Sequence, residues 1–225
     1  MINSKISDII KDERLNVIKN KEKLIKNLKA KPESTISEIK VAFWFINKLC
    51  SEIEYEPSVG NLDGKPEFRI VIDKLEFFVE VKNVKLEKSE KIKEGLTFYS
   101  FGEVDWKRIY NILKKAKKGI KDDIFLVFLE INENIKLQDT LIHIKEGEDS
   151  IIIYVPNDKE KPFLRSNWFK AEKILTHDEG RFDEIDAVYV FYDKVEEGKF
   201  VVGNKVKEER KEIIKKILGE NEFNL

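Results

Sequence analysis

Three residues in the segment KPEFRIVIDKLEFFVEVK have the types and spacing to do chemistry together: Glu67, Glu80 and Lys82. Phe68, Ile70 and Ile72 alternate with Glu67, Arg69 and Val71, and Phe77, Val79 and Val81 alternate with Phe78, Glu80 and Lys82. This is the period-two pattern of a hairpin with one apolar face and one charged face. Two registers satisfy it. A two-residue turn at Asp73-Lys74 sets Glu67 directly opposite Glu80, with Lys82 on the same side. A four-residue turn from Asp73 to Glu76 instead sets Glu67 against Lys82 and Arg69 against Glu80, an ordinary charge-paired ladder. Asp-Lys is not a favoured two-residue hairpin turn, so both registers stand at this point. In the first register, two like charges face each other at a penalty of roughly 0.2 to 1 kcal/mol, and more once desolvated. A cation between them reverses the sign. Mg²⁺ is a hard ion held by one or two carboxylates plus waters and phosphate oxygens, so two glutamates and a carbonyl suffice for it.

The elements that must position these residues can be read along the chain. Residues 3–30 carry a thin apolar stripe (Ile6, Ile9, Ile10, Val17, Ile18, Leu24, Ile25, Leu28) and read as one or two polar helices forming an arm or lid, closed by Lys31-Pro32. A stronger helix is predicted from about Ser34 to Cys50, with Ile39, Ala42, Phe43, Ile46 and Leu49 at helical spacing and Trp44 and Phe45 on its other side. Glu38 lies on it. The run Thr35-Ile36-Ser37-Glu38 also fits a capping box, so a helix-capping role for Glu38 stands beside a site role. A short strand at Ile53 to Pro57, the hairpin, a basic helix from about Asp105 to Lys118 and a buried strand from Ile124 to Ile131 complete an α-β-β-β-α-β order. Beyond Asn132, strands are predicted at 140–144, 151–155, 187–192 and 199–202, with helices near 168–175 and 205–218, the last stopped by Gly219. The expected organisation is an N-terminal helical arm (1–32), a core (33–135) and a C-terminal extension (136–225) packed on the same core.

With Glu38 on the first helix, Pro66-Glu67 leading the first hairpin strand and Glu80-Val81-Lys82 on the second, the chain resembles the PD-(D/E)XK nuclease superfamily over residues 34 to about 131. It departs from the family at Glu67, where the usual residue is aspartate. The resemblance implies an α/β fold, a mixed β-sheet flanked by helices with a restriction-endonuclease-like αβββαβ core and a C-terminal α/β extension. It implies a Mg²⁺- (or Mn²⁺-) dependent nuclease hydrolysing phosphodiester bonds in DNA, with Glu38, Glu67, Glu80 and Lys82 catalytic. Glu67, Glu80 and the carbonyl of Val81 would hold the metal. The alternative is a catalytically inactive protein of the same fold that binds nucleic acid or a protein partner.

Charge narrows the partners. A net charge of -1 excludes a uniformly positive surface, so nucleic acid must be met by local patches. Residues 107–121 (KRIYNILKKAKKGIK) supply Lys107, Arg108, Lys114, Lys115, Lys117, Lys118 and Lys121 with no acid among them, and Lys19 to Lys31 is nearly as one-sided. Either run also suits a plain solvated helix face. The expected partner is nucleic acid, DNA in the first instance, and the assembly is open to a homodimer. No apolar run approaches the ~20 residues of a membrane span and the lysine-rich N-terminus lacks a secretory signal pattern, so a cytoplasmic location is expected. Asp63 and Glu56 are second-choice acids, the resemblance implies that Tyr110 and Arg108 on the basic helix contact the scissile phosphate, and His143 and His177 have no ligand spacing around them. Cys50 reads as a small buried residue. Abundant Lys, Glu and Ile beside the single Gln138 give a thermophile-like composition.

Overall fold

The structure is a computed structural model that describes residues 2–48, 50–58, 65–84, 112–113, 120, 123–131, 151–152, 165–166, 185–203, 206–219 and 222. Among these, nine strands are placed: β1 (Ile18–Lys19), β2 (Glu52–Tyr55), β3 (Phe68–Ile72), β4 (Leu75–Val84), β5 (Ile124–Ile131), β6 (Ile151–Ile152), β7 (Arg165–Ser166), β8 (Ala187–Tyr192) and β9 (Lys194–Val202). Seven of them form one mixed sheet in the order β1-β2-β3-β4-β5-β8-β9, and β6 pairs with β7 in a separate ribbon. Strands β2, β3 and β4 form an antiparallel meander, β5 and β8 lie parallel to β4, and β9 returns antiparallel to β8. The mixed α/β class expected from the sequence therefore holds.

The N-terminal segment departs from its reading as helices alone. After α1 (Ile2–Ile10) and a 3-10 turn (Glu13–Val17), Ile18 enters β1 and pairs parallel with Ile53 of β2. Asn20, at φ 66, then turns the chain into α2 (Lys21–Ala30), whose Leu24 and Leu28 are buried.

Helix α3 (Pro32–Asn47) covers one face of the sheet. Pro32 occupies its first turn, where a missing N–H costs nothing, so the helix starts two residues before the predicted Ser34. This puts Thr35 inside the helix and rules out the capping box. Helix α3 is buried on most sides, as its aromatic content predicts, and Phe45 meets Phe77 of β4 and Phe128 of β5 at ring-centroid distances of 5.5 and 5.6 Å. The last helix, α4 (Glu208–Leu218), adds Ile214, Ile217 and Leu218 to the same core and ends at Gly219 with φ 92. The opposite face carries Phe78, Phe125, Val127, Leu129, Val188 and Val190, all buried. With both faces covered, β5 is apolar throughout except at Glu130 and does not alternate. The predicted basic helix lies outside the described residues apart from Ile112 and Leu113, which are helical. The segments predicted at 140–144 and 168–175 also lie outside them.

Candidate active site

The register question is settled at the turn. Asp73 and Lys74 have φ 49 and 69, the two left-handed residues of a type I′ turn, which matches the twist of a two-residue hairpin. Leu75 accordingly faces Ile72 and Val79 faces Phe68, and one further step sets Glu67 against Glu80. The charge-paired ladder is overturned: Arg69 faces Phe78 and bonds to Glu52 and Glu76 instead.

The amide orientations make this a close pairing. The carbonyl of Glu67 accepts from the Glu56 N–H, at the end of β2, at 2.7 Å, so the main-chain groups of Glu67 point away from β4. Glu67 and Glu80 thus form a non-hydrogen-bonded pair, the arrangement in which facing side chains come nearest. Val81 is the next residue of β4 to present its N–H and carbonyl toward β3, but β3 begins only at Phe68. The Val81 N–H instead donates to Glu67 Oε2 at 3.3 Å, and its carbonyl faces the same gap.

Lys82 closes the constellation. Its ammonium lies 2.9 Å from Glu67 Oε1 and is ion-paired with Glu80 Oε1, and the two carboxylates are within hydrogen-bonding reach of each other. The Glu80 side chain is 0% exposed. Burial, then the neighbouring Glu67 carboxylate, push the Glu80 carboxyl far above the usual range against the pull of Lys82. For Lys82, burial works to lower the ammonium, but Glu67 and Glu80 outweigh it and hold it above its usual value.

Glu38 approaches from α3. Buried to 8% exposure, it accepts a hydrogen bond from Tyr55 OH at 2.8 Å. Burial raises its carboxyl to about 7; the Tyr55 bond opposes that, Glu67 and Glu56 add to it, and Lys82 relieves it. Asn27 of α2 donates to Tyr55 OH at 2.9 Å and to Glu56 Oε1 at 3.1 Å, and Lys23 pairs with Glu56. The structure therefore brings together Glu38, Glu67, Glu80, Val81 and Lys82. It also adds Tyr55 and Asn27, which carried no signal in the sequence, and Glu56, which the sequence ranked behind them. The alternation of Glu52-Ile53-Glu54-Tyr55 does place Tyr55 on the buried face, but what its hydroxyl meets depends on how α2 and α3 pack.

Lys107, Arg108, Lys114, Lys115, Lys117, Lys118 and Lys121 lie outside the described residues, as do Asp63, Tyr110, His143 and His177. Cys50 is half-buried and burial pushes its thiol up. No described helix is long and apolar enough to cross a membrane.

Whether these groups suit a divalent ion is a matter of donor chemistry. Among the described residues, no three or more His, Cys, Asp or Glu side chains gather closely enough to hold a metal by themselves. The donors that converge are two carboxylates and one carbonyl, all hard oxygens. That set fits an ion that keeps most of its shell as water and substrate oxygen. Comparison with family models, with curated proteins and with solved structures returned no match.

Proposed function

We propose that the chain is a Mg²⁺-dependent nuclease that hydrolyses phosphodiester bonds in DNA, built on a restriction-endonuclease-like core of the PD-(D/E)XK superfamily. The single observation that carries the reading is the hairpin register, which gathers Glu67, Glu80 and Lys82 at one point beside Glu38. The order α3-β2-β3-β4-β5 with β5 parallel to β4 supports it.

In this reading Glu67, Glu80 and the Val81 carbonyl hold Mg²⁺, which when bound polarises the phosphate and lowers the pKa of a bound water. With the ion bound, Lys82 would give up its bridge between the two carboxylates and would orient the attacking water or stabilise the negative charge growing on the phosphoryl oxygens as the leaving oxygen departs in line. Glu38 steadies the water through its remaining acceptor capacity. Lys107, Arg108, Lys114, Lys115, Lys117, Lys118 and Lys121 neutralise neighbouring phosphates and fix the register on DNA without reading sequence.

The test is cleavage of duplex, branched and single-stranded DNA with Mg²⁺ or Mn²⁺ by the wild type, Lys82→Ala and Glu80→Ala, alongside thermal melting. Both variants are expected to fold and to lose metal-dependent cleavage. Cleavage undiminished in either removes the proposed site. One observation favours the second reading, a non-catalytic protein of this fold that binds nucleic acid or a partner protein: Lys82 already contacts both carboxylates. A Mn²⁺ titration separates the two, since a site closed by its own lysine takes up no ion.

A further inference from the structure

We propose that Tyr55 is a positioning residue for Glu38, with its hydroxyl aimed by Asn27, so that helix α2 is a working part of the site. The inference rests on the metal-dependent reading above. A phenolic hydroxyl has one proton to give and lone pairs that accept. Asn27 Nδ2 donates to the Tyr55 oxygen at 2.9 Å, which leaves the single proton free to point at Glu38 Oε2, 2.8 Å away.

The ring that carries this hydroxyl has little freedom. Tyr55 is 2% exposed, and its ring lies 5.4 Å from that of Phe68, the residue directly after Glu67. Water therefore does not compete for the bond, and the strand that places Glu67 also braces the group that orients Glu38. Asn27 is a fork: the same amide nitrogen donates to Glu56 Oε1 at 3.1 Å, and Glu56 N–H donates to the Glu67 carbonyl. Glu56 and Glu67, the two carboxylates whose charges act on Glu38, are thus indexed to one residue of α2. Without Tyr55 OH, Glu38 stays buried but, among the described residues, has no other hydrogen bond to fix the plane of its carboxyl group. Ligand-orienting partners of this kind are worth about tenfold to a hundredfold in metal affinity or activity.

The experiment compares the full chain with Tyr55→Phe, Glu38→Gln and the double variant. The readouts are Mn²⁺ affinity by titration calorimetry without nucleic acid, and kcat and KM for Mn²⁺-dependent DNA cleavage. Tyr55→Phe is expected to lower Mn²⁺ affinity or kcat by about tenfold, to leave KM for DNA unchanged, and to have no further effect once Glu38 is replaced by glutamine. Asn27→Ala, at a half-buried position on the outer helix, is expected to shift the same quantities in the same direction, and it carries the test if the Phe variant fails to fold. A wild type that binds Mn²⁺ and cleaves, with Tyr55→Phe matching it or losing as much in the Glu38→Gln background as in the native one, overturns this inference alone. A wild type that neither binds Mn²⁺ nor cleaves overturns the nuclease reading and this inference with it.

Discussion

Replacing Glu38 with glutamine removes one ionisation from a buried site and changes little else, so its effect on stability can be worked out from the surroundings of that carboxyl. Glutamine keeps the volume and an oxygen to accept from Tyr55, which donates to Glu38 Oε2 at 2.8 Å. In the unfolded chain the Glu38 carboxyl titrates near its ordinary value of 4.5; in the fold, burial first and the Glu67 and Glu56 charges after it raise it to about 7. The folded protein thus holds the proton more tightly than the unfolded one. Ionisation of Glu38 is a penalty on folding that is absent well below pH 4.5, grows as pH rises, and is complete above about pH 7. The gap between the two values corresponds to about 3 kcal/mol as an upper bound. Glu38→Gln should therefore stabilise the protein by up to about 3 kcal/mol at pH 8 and by less than about 1 kcal/mol at pH 5. For a chain of this size each kcal/mol moves Tm by roughly 2 to 4 °C, so the gain at pH 8 is roughly 6 to 12 °C. Differential scanning calorimetry of both proteins at the two pH values measures it. A Tm difference that is the same at pH 5 and pH 8, or a variant less stable than wild type at pH 8, refutes the reasoning. The same substitution should lower Mn²⁺-dependent cleavage, giving a variant that is more stable and less active.

Lys74→Gly converts the turn to Asp-Gly, the preferred chemistry for two left-handed residues, and should raise stability by about 0.5 to 1 kcal/mol in urea unfolding with the hairpin register unchanged. Arg210→Ala should destabilise by roughly 3 kcal/mol. Its guanidinium meets the largely buried Asp186 carboxylate at 2.7 and 2.8 Å, so its loss leaves that charge with the Phe125 N–H at 2.8 Å, a change that chemical denaturation reads directly.

How much of this was legible in the sequence follows from what each feature depends on. The hairpin and β5 were legible because their patterns are local: Phe77, Val79 and Val81 alternate, and Ile124 to Ile131 is a nearly unbroken apolar run. The turn was ambiguous because Asp73 and Lys74 are L-residues for which positive φ is unfavourable, and only the paired strands decide that they adopt it. The Glu38 ambiguity came from a motif, S/T-x-x-E, that is meaningful only at a helix start, and Pro32 moves that start upstream. β1 was invisible for the opposite reason. Two residues, Ile18 and Lys19, supply no periodicity of their own inside a helical stripe, and their strand exists because β2 offers a parallel edge. Tyr55 and Asn27 belong to the same class, since their meeting with Glu38 is made by three elements packing together.

The charge balance of the site bears on what it is for. A buried ion pair kept for stability alone is a poor device, because well-packed apolar residues of similar volume often do as well or better. Where one exists, a single acid facing a single base minimises the penalty. Asp186, largely buried at the foot of β5, is matched by Arg210 in this way. The hairpin site is built differently. Among the described residues, the Glu67 and Glu56 charges act on buried Glu38, Lys23 pairs with Glu56, Lys82 bridges Glu67 and Glu80, and the fully buried Glu80 faces Glu67 across the strands. Burial first, and the neighbouring acids after it, raise both Glu38 and Glu80 above the usual carboxylate range, so protonation is the protein's own means of tolerating these acids. An added divalent charge is the other means. It must displace that proton, so Mn²⁺ affinity should rise with pH through the neutral range and each ion bound should release a proton. A salt bridge complete in itself has no proton to release, and that difference, read by titration calorimetry in buffers of different ionisation enthalpy, separates a site waiting for a cation from one that is merely structural.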